Sequence, residues 1–68
     1  MNATQAKFET FLNLTGIQIK KGTAGVLFNR LKGYWEVTAD VGTDCRKYAK
    51  VWEAATADEA VQIERIIN

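Results

Sequence analysis

Eight consecutive residues, from Tyr34 to Val41, alternate between apolar and polar side chains. Successive side chains of a β-strand point to opposite faces, so this period of two predicts a strand with one buried face. The residues expected on the buried face are Trp35, Val37, Ala39 and Val41, and those expected on the other face are Tyr34, Glu36, Thr38 and Asp40. Such a strand needs paired neighbours and a second layer over its apolar face, so the chain must contain a sheet.

The segments on either side have the pattern of neighbouring strands. Residues 17–20 alternate and residues 24–28 are a short apolar stretch, which predicts either one bent strand or two brief ones. Residues 41–44 have the composition of a hairpin turn, and the alternation resumes in residues 46–54. In this last segment Ala49 and Val51 are expected to face the core, with Arg46, Tyr48, Lys50 and Trp52 on the opposite face.

Helices are predicted at both ends of the chain. Asn2 or Thr4 can cap the first helix, and Gly16 ends it. Its apolar side carries Phe8, Phe11 and Leu12. Thr56 and Glu59 have the spacing of a capping box, which predicts the start of a second helix. The predicted fold is therefore α+β, with a two- or three-stranded antiparallel sheet packed on a C-terminal helix and preceded by an N-terminal helix (α-β-β-β-α).

Length and composition restrict the chemistry that the chain can carry. The 68 residues are expected to form one small domain, residues 1–68, around a single core. With no histidine and a single cysteine, Cys45, we expect no zinc site, no internal disulfide and no cofactor. No nucleophile and base are recognisable together, which predicts a protein without catalytic residues that is not an enzyme. The absence of a long apolar segment or a secretory signal pattern predicts a cytoplasmic protein with no membrane span.

The charged residues are distributed unevenly. The net charge is only +1, but the segment from Ile17 to Lys50 carries seven basic and three acidic residues. From Val51 onward the chain is acidic, which leaves room for a basic face on a nearly neutral molecule. The open face of the predicted sheet combines basic and aromatic side chains, and a twisted antiparallel sheet with such a face can enter the DNA major groove.

The central segment also resembles a known family. It has the spacing Gly25-Val26-x-Phe28-x-Arg30-x-x-Gly33-x-Trp35-x-Val37, followed by a basic strand and by Thr56-x-x-Glu59-Ala60. This pattern, over residues 25–68, is similar to the AP2-type DNA-binding domain of plant transcription factors, phage homing endonucleases and the arm-binding domain of tyrosine integrases. The resemblance implies a three-stranded sheet that reads double-stranded DNA and is backed by one helix. It nominates Arg30, Arg46, Lys50 and Trp52 as contacts; with the other open-face and turn residues, the candidate nucleic-acid-binding set is Arg30, Lys32, Tyr34, Arg46, Tyr48, Lys50 and Trp52.

The same residues allow a second interpretation. Tyr48 and Trp52 can belong to a second hydrophobic face that the N-terminal helix covers. The chain would then be a small protein-binding module or inhibitor, of the kind that phages and mobile elements encode, acting through a sheet edge or an aromatic patch. A sheet edge in so short a protein also allows either a monomer or a homodimer formed through that edge.

Overall fold

The computed structural model describes residues 2–44 and 46–68, so Cys45 lies outside the described residues. Helix α1 (Ala3–Thr15) is followed by strands β1 (Gly25–Asn29), β2 (Tyr34–Val41) and β3 (Lys47–Ala54) and by helix α2 (Ala57–Ile67). This order confirms the predicted α+β arrangement and settles the number of strands at three. Neither helix is long and apolar enough to cross a bilayer within the described part of the chain.

The three strands form one antiparallel sheet in the order β1-β2-β3, with β2 in the centre. Val26 lies opposite Val37 and Phe28 opposite Trp35, which fixes the register of the first hairpin. Of the two arrangements predicted for residues 17–28, one bent strand or two brief ones, the structure has two separate pieces. Ile19 makes an isolated bridge with Val41, a turn follows, and only then does β1 begin. Strand β2 therefore has partners on both sides, with β1 and Ile19 along one side and β3 along the other.

A β-bulge interrupts the pairing of β2 with β3. Val37 lies opposite Trp52 and Thr38 lies opposite Lys50, so Val51 is an extra residue in β3. An extra residue puts the alternation after the bulge out of phase with the alternation before it. Trp52 consequently lies on the same side of the sheet as buried Val37, and the prediction that Trp52 lies on the open face is wrong.

Both helices lie over the same face of the sheet. Phe8 of α1 and Ile63 of α2 are buried in one cluster with Val37 of β2, and the two helices also pack against each other. The rings of Phe8 and Phe11 meet Trp52 edge-on, with centroids 5.5 and 5.6 Å away. The N-terminal helix thus covers Trp52, as the second interpretation expected, but it does so on the face that α2 also covers. The expected covering of Tyr48 on a second face is wrong, and that face is left open.

The helix ends have the predicted caps. The Asn2 side chain accepts a hydrogen bond from the Gln5 amide at 2.8 Å, and Gly16 adopts the left-handed conformation (φ 65°) that ends α1. At α2, the Thr56 hydroxyl accepts from the Glu59 amide at 3.1 Å. The Glu59 carboxylate accepts from the amide of Ala55, one residue before the expected position, at 2.9 Å. A local polar side chain thus satisfies one of the free amides at each helix start.

We expect Thr56→Ala to lower the free energy of unfolding by about 1 kcal/mol, because it removes the acceptor for the Glu59 amide. Thr56→Ser keeps a hydroxyl at the same position and should remain close to the wild type. Urea unfolding followed by circular dichroism measures both variants. Equal stabilities for the alanine and serine variants would show that the cap contributes nothing.

Candidate functional site

The open face of the sheet is the first candidate surface, since no described helix covers it. We define it by the side chains that alternate away from the core, which are Leu27, Tyr34, Glu36, Thr38, Asp40, Tyr48, Lys50 and Glu53. Tyr48 is its most prominent ring, 63% exposed, and its hydroxyl is hydrogen-bonded to the hydroxyl of Thr38 beneath it. The tyrosine ring is therefore held against the sheet with one surface open to solvent.

Lys50 is held by neighbours on this face. Its ammonium group lies 2.6 Å from a Glu53 carboxylate oxygen and donates to the Tyr34 hydroxyl at 3.0 Å. It also lies 5.1 Å from the centroid of the Tyr34 ring. The hydrogen bond to Glu53, followed by the one to Tyr34, raises the pKa of Lys50 above its usual range. The positive charge predicted to contact DNA is thus already matched by a carboxylate of the same chain.

The open face carries more acidic than basic groups. Glu36 lies directly opposite Glu53 across β2 and β3, an arrangement in which like charges repel. The Glu36 carboxylate accepts a hydrogen bond from the Asn29 amide group at 3.2 Å, and Asp40 is a third carboxylate on this face. Lys50 is the single cation among the described side chains of the open face. A basic and aromatic surface was predicted from the sequence, whereas the open face is aromatic with an excess of negative charge.

The structure does not bring the seven candidate residues together. Tyr34, Tyr48 and Lys50 share the open face. Arg30 and Lys32 lie in the turn between β1 and β2, whereas Arg46 follows the turn between β2 and β3. These turns are at opposite ends of β2, whose eight residues span about 25 Å. Trp52 is partly buried on the helix-covered side, so it belongs to the core and not to this surface.

A second candidate surface, which was not predicted from the sequence, is the β1–β2 hairpin. Its apolar residues are Leu27, Phe28 and Leu31, which are 46%, 44% and 97% exposed. We call these three residues the apolar hairpin. The sequence does contain a signal for this surface. Leu31 is a large apolar residue between two basic ones in a turn, where its side chain is too far from the core to be buried.

The turn of the apolar hairpin is well ordered by hydrogen bonds. The Asn29 side-chain oxygen accepts from the amides of Leu31 and Lys32 at 3.1 and 3.0 Å. The Asn29 backbone carbonyl accepts from the Gly33 amide at 2.8 Å, and Gly33 has the positive φ (75°) that the turn requires. Leu31 is therefore presented to solvent by a turn with a defined conformation.

A third feature is an open groove of about 370 Å³ between α1 and β3. Phe11 lines it from the helix, and the bulged part of β3 from Lys50 to Glu53 lines it from the sheet. The indole nitrogen of Trp52 is buried without a hydrogen-bond partner among the described residues. No group of three or more acidic or cysteine side chains is arranged to hold a metal ion in the described part of the chain.

No protein-family model matches the chain, and the searches of curated proteins and of solved structures found no similar protein. The similarity to AP2-type domains therefore stays a prediction from the sequence. A functional proposal for this chain depends on the chemistry of its three surfaces.

We expect the pKa of Lys50 to lie above the ordinary lysine pKa of about 10.4. The variant Glu53→Gln should move the pKa of Lys50 back towards that ordinary pKa, because it removes the carboxylate. The pKa of Lys50 is higher in the folded state than in the unfolded state. The interactions of Lys50 therefore stabilise the fold fully at pH values below the ordinary lysine pKa, and this stabilisation is lost as the pH rises through the pKa of the folded state. Carbon chemical shifts at the lysine ε position, followed from neutral to alkaline pH, measure the change. If Lys50 had the same pKa in Glu53→Gln as in the wild type, the assignment of the raised pKa to Glu53 would be contradicted.

Proposed function

We propose that this chain is a non-catalytic protein-binding module and that the apolar hairpin is its contact surface. The observation that carries the proposal is the 97% exposure of Leu31 at the tip of an ordered turn, between Arg30 and Lys32. A leucine that contributes nothing to the core of its own chain gains free energy only when another molecule covers it. Leu27 and Phe28 add exposed apolar surface along β1, Leu27 on the open face of the sheet and Phe28 on the helix-covered side.

The energetics of this surface suit a small interface. Full burial of one leucine or phenylalanine side chain contributes roughly 1.5–3 kcal/mol. The Asn29 hydrogen bonds hold the turn before a partner arrives, so little conformational entropy is lost on binding. Arg30 and Lys32 flank the apolar centre and suit acidic groups at the rim of the partner's surface. The partner expected from this chemistry is a protein with an apolar pocket bordered by carboxylates.

Double-stranded DNA is a second candidate partner, and one observation favours it. The structure records a single salt bridge among the described residues, between Lys50 and Glu53. The exposed basic side chains of the loops and of the start of β3 are free to meet phosphates, and they are Lys20, Lys21, Arg30, Lys32, Arg46 and Lys47. Because Glu36 and Glu53 lie on the open face, DNA contacts would come mainly from the turns and would carry little base specificity.

The decisive experiment compares Leu31→Ser with Leu14→Ser, a matched control on α1 where the leucine is 82% exposed. Each immobilised variant is used to capture proteins from a lysate of the organism that encodes the chain. We expect a protein that the wild type and Leu14→Ser retain and that Leu31→Ser loses. Capture that is identical for all three variants would overturn the assignment of the apolar hairpin.

The DNA alternative has its own measurement. Amide chemical shifts of the labelled protein are followed during titration with a mixed-sequence duplex at two salt concentrations. Salt-sensitive shifts at Arg30, Lys32 and Arg46, weakened by Arg46→Ala, would favour DNA over a protein partner. An absence of shifts at low salt would exclude it.

A further inference from the structure

The two edges of the sheet differ in how they are protected against pairing. The β3 edge carries the bulge at Val51 and the charged residues Lys47, Lys50 and Glu53. Bulges and charges are the features that keep an edge strand from pairing with another chain. The β1 edge, from Gly25 to Asn29, has no charged residue, no proline and no bulge in its register with β2. It is an unprotected edge with apolar side chains exposed on both faces.

The hydrogen bonds of Ala24 show which β1 groups are available at this edge. The Asn68 side chain accepts from the Ala24 amide at 3.0 Å and donates to the Ala24 carbonyl at 3.2 Å, so Asn68 occupies the edge just before β1. In an antiparallel strand the backbone groups of alternate residues point to the same side. Val26 and Phe28 therefore direct their amides and carbonyls to the free edge, whereas Leu27 bonds to β2.

We propose that the β1 edge pairs antiparallel with the β1 edge of a second copy of this chain, which joins two three-stranded sheets into one of six strands. This inference rests on the proposed protein-binding role of the hairpin and names the molecule that covers its edge. Pairing about a two-fold axis places Leu27 opposite the second copy's Leu27. It also places Val26 opposite the second copy's Phe28, so that these two residues exchange the free backbone hydrogen bonds.

The side chains suit this register on both faces of the sheet. On the open face, the two copies of Leu27 cover each other. On the helix-covered side, Phe28 already packs on Trp35 with ring centroids 5.0 Å apart, and its exposed remainder covers Val26 of the second copy. Aromatic and β-branched side chains are favourable cross-strand pairs. No charged side chain is brought into the paired segment.

Charge complementarity at the ends of the paired segment favours a second copy over an unrelated strand. In the same register Arg30 lies opposite Ala24 of the second copy, where Asn68 marks the end of α2. The C-terminal end of a helix carries partial negative charge, which attracts a guanidinium group. Glu64 and Arg65 in this last turn offset one another, so the carbonyl end of the helix remains the local negative pole.

The contact involves five strand residues from each copy, whereas a stable interface uses roughly 20–30 residues per side. We therefore expect a dimer that dissociates on dilution.

Sedimentation equilibrium between about 10 μM and about 1 mM should show the wild type changing from monomer to dimer. Leu27→Lys should raise the dimer dissociation constant by about tenfold or more, because it sets two like charges opposite each other. Leu14→Lys makes the same change on exposed α1 surface and should have no effect.

Hydrogen exchange at low and high protein concentration identifies the strand that pairs. The amides of Val26 and Phe28 should exchange more slowly as the concentration rises, while that of Leu27 should not change. A protein that is monomeric at about 1 mM, or a dimer without added protection at Val26 and Phe28, would overturn this inference. A monomer that still captures a protein through Leu31 would overturn the dimer and leave the proposed function standing, whereas a dimer without such capture would restrict the hairpin to self-association.

Discussion

Phe8→Ala is expected to lower the free energy of unfolding by about 3–5 kcal/mol, because it removes a large buried aromatic side chain. Phe8 is the buried residue of α1, and its ring packs against those of Phe11 and Trp52. Its removal leaves a cavity where α1 meets both α2 and the sheet. A domain of 68 residues has a total stability of roughly 3–10 kcal/mol, so the variant should lose a large part of it and unfold at a clearly lower urea concentration.

Urea unfolding followed by Trp fluorescence and by circular dichroism measures the loss. Trp52 reports directly on the contact, because Phe8 meets its ring edge-on at 5.5 Å. Leu14→Ala, on the exposed side of the same helix, is the control and should change the free energy of unfolding by less than about 0.5 kcal/mol. Similar losses for the two variants would mean that α1 does not dock through Phe8.

Ile63→Ala should lower the free energy of unfolding by about 2–5 kcal/mol. Ile63 is completely buried in the middle of α2 and packs in the cluster formed by that helix and strands β2 and β3. Ile66→Ala is a closely matched control, because it deletes the same atoms from the same helix at a position that is 38% exposed.

The difference between the two isoleucine variants isolates the effect of position, since helix propensity changes equally in both. Thermal and urea unfolding of both proteins measure it. We expect Ile66→Ala to cost clearly less than Ile63→Ala, because part of its side chain already contacts water. Equal costs would show that α2 presents a different face to the sheet.

Much of the fold could be predicted because the signals are local. The alternation from Tyr34 to Val41 identified β2 and its buried face, and the structure confirms that Val37, Ala39 and Val41 are buried. Polar residues at Asn2 and Thr56 marked the helix starts because their side chains bond to amides only three residues ahead. Each of these features depends only on residues that lie close together in the sequence.

The candidate site could not be predicted equally well, because it depends on pairing between distant segments. The bulge at Val51 exists only in the register of β3 against β2, and it moves Trp52 from the expected open face to the core side. Strict alternation would also place Lys50 and Glu53 on opposite faces of the sheet. The same bulge brings Glu53 to the face of Lys50, where the two form an ion pair. The exposure of Leu31 follows from the tight turn that places it beyond the reach of the core.

The order of elements, the helix caps and the buried side of β2 follow from the amino-acid sequence, because side-chain periodicity and capping act over a few residues. Three features follow from the folded arrangement instead: both helices cover one face, the open face carries excess carboxylates, and β1 is left as an unprotected apolar edge. Those outcomes depend on strand register and on the packing of Phe8 against Trp52, which lies 44 residues further along the chain, and no local pattern encodes such contacts.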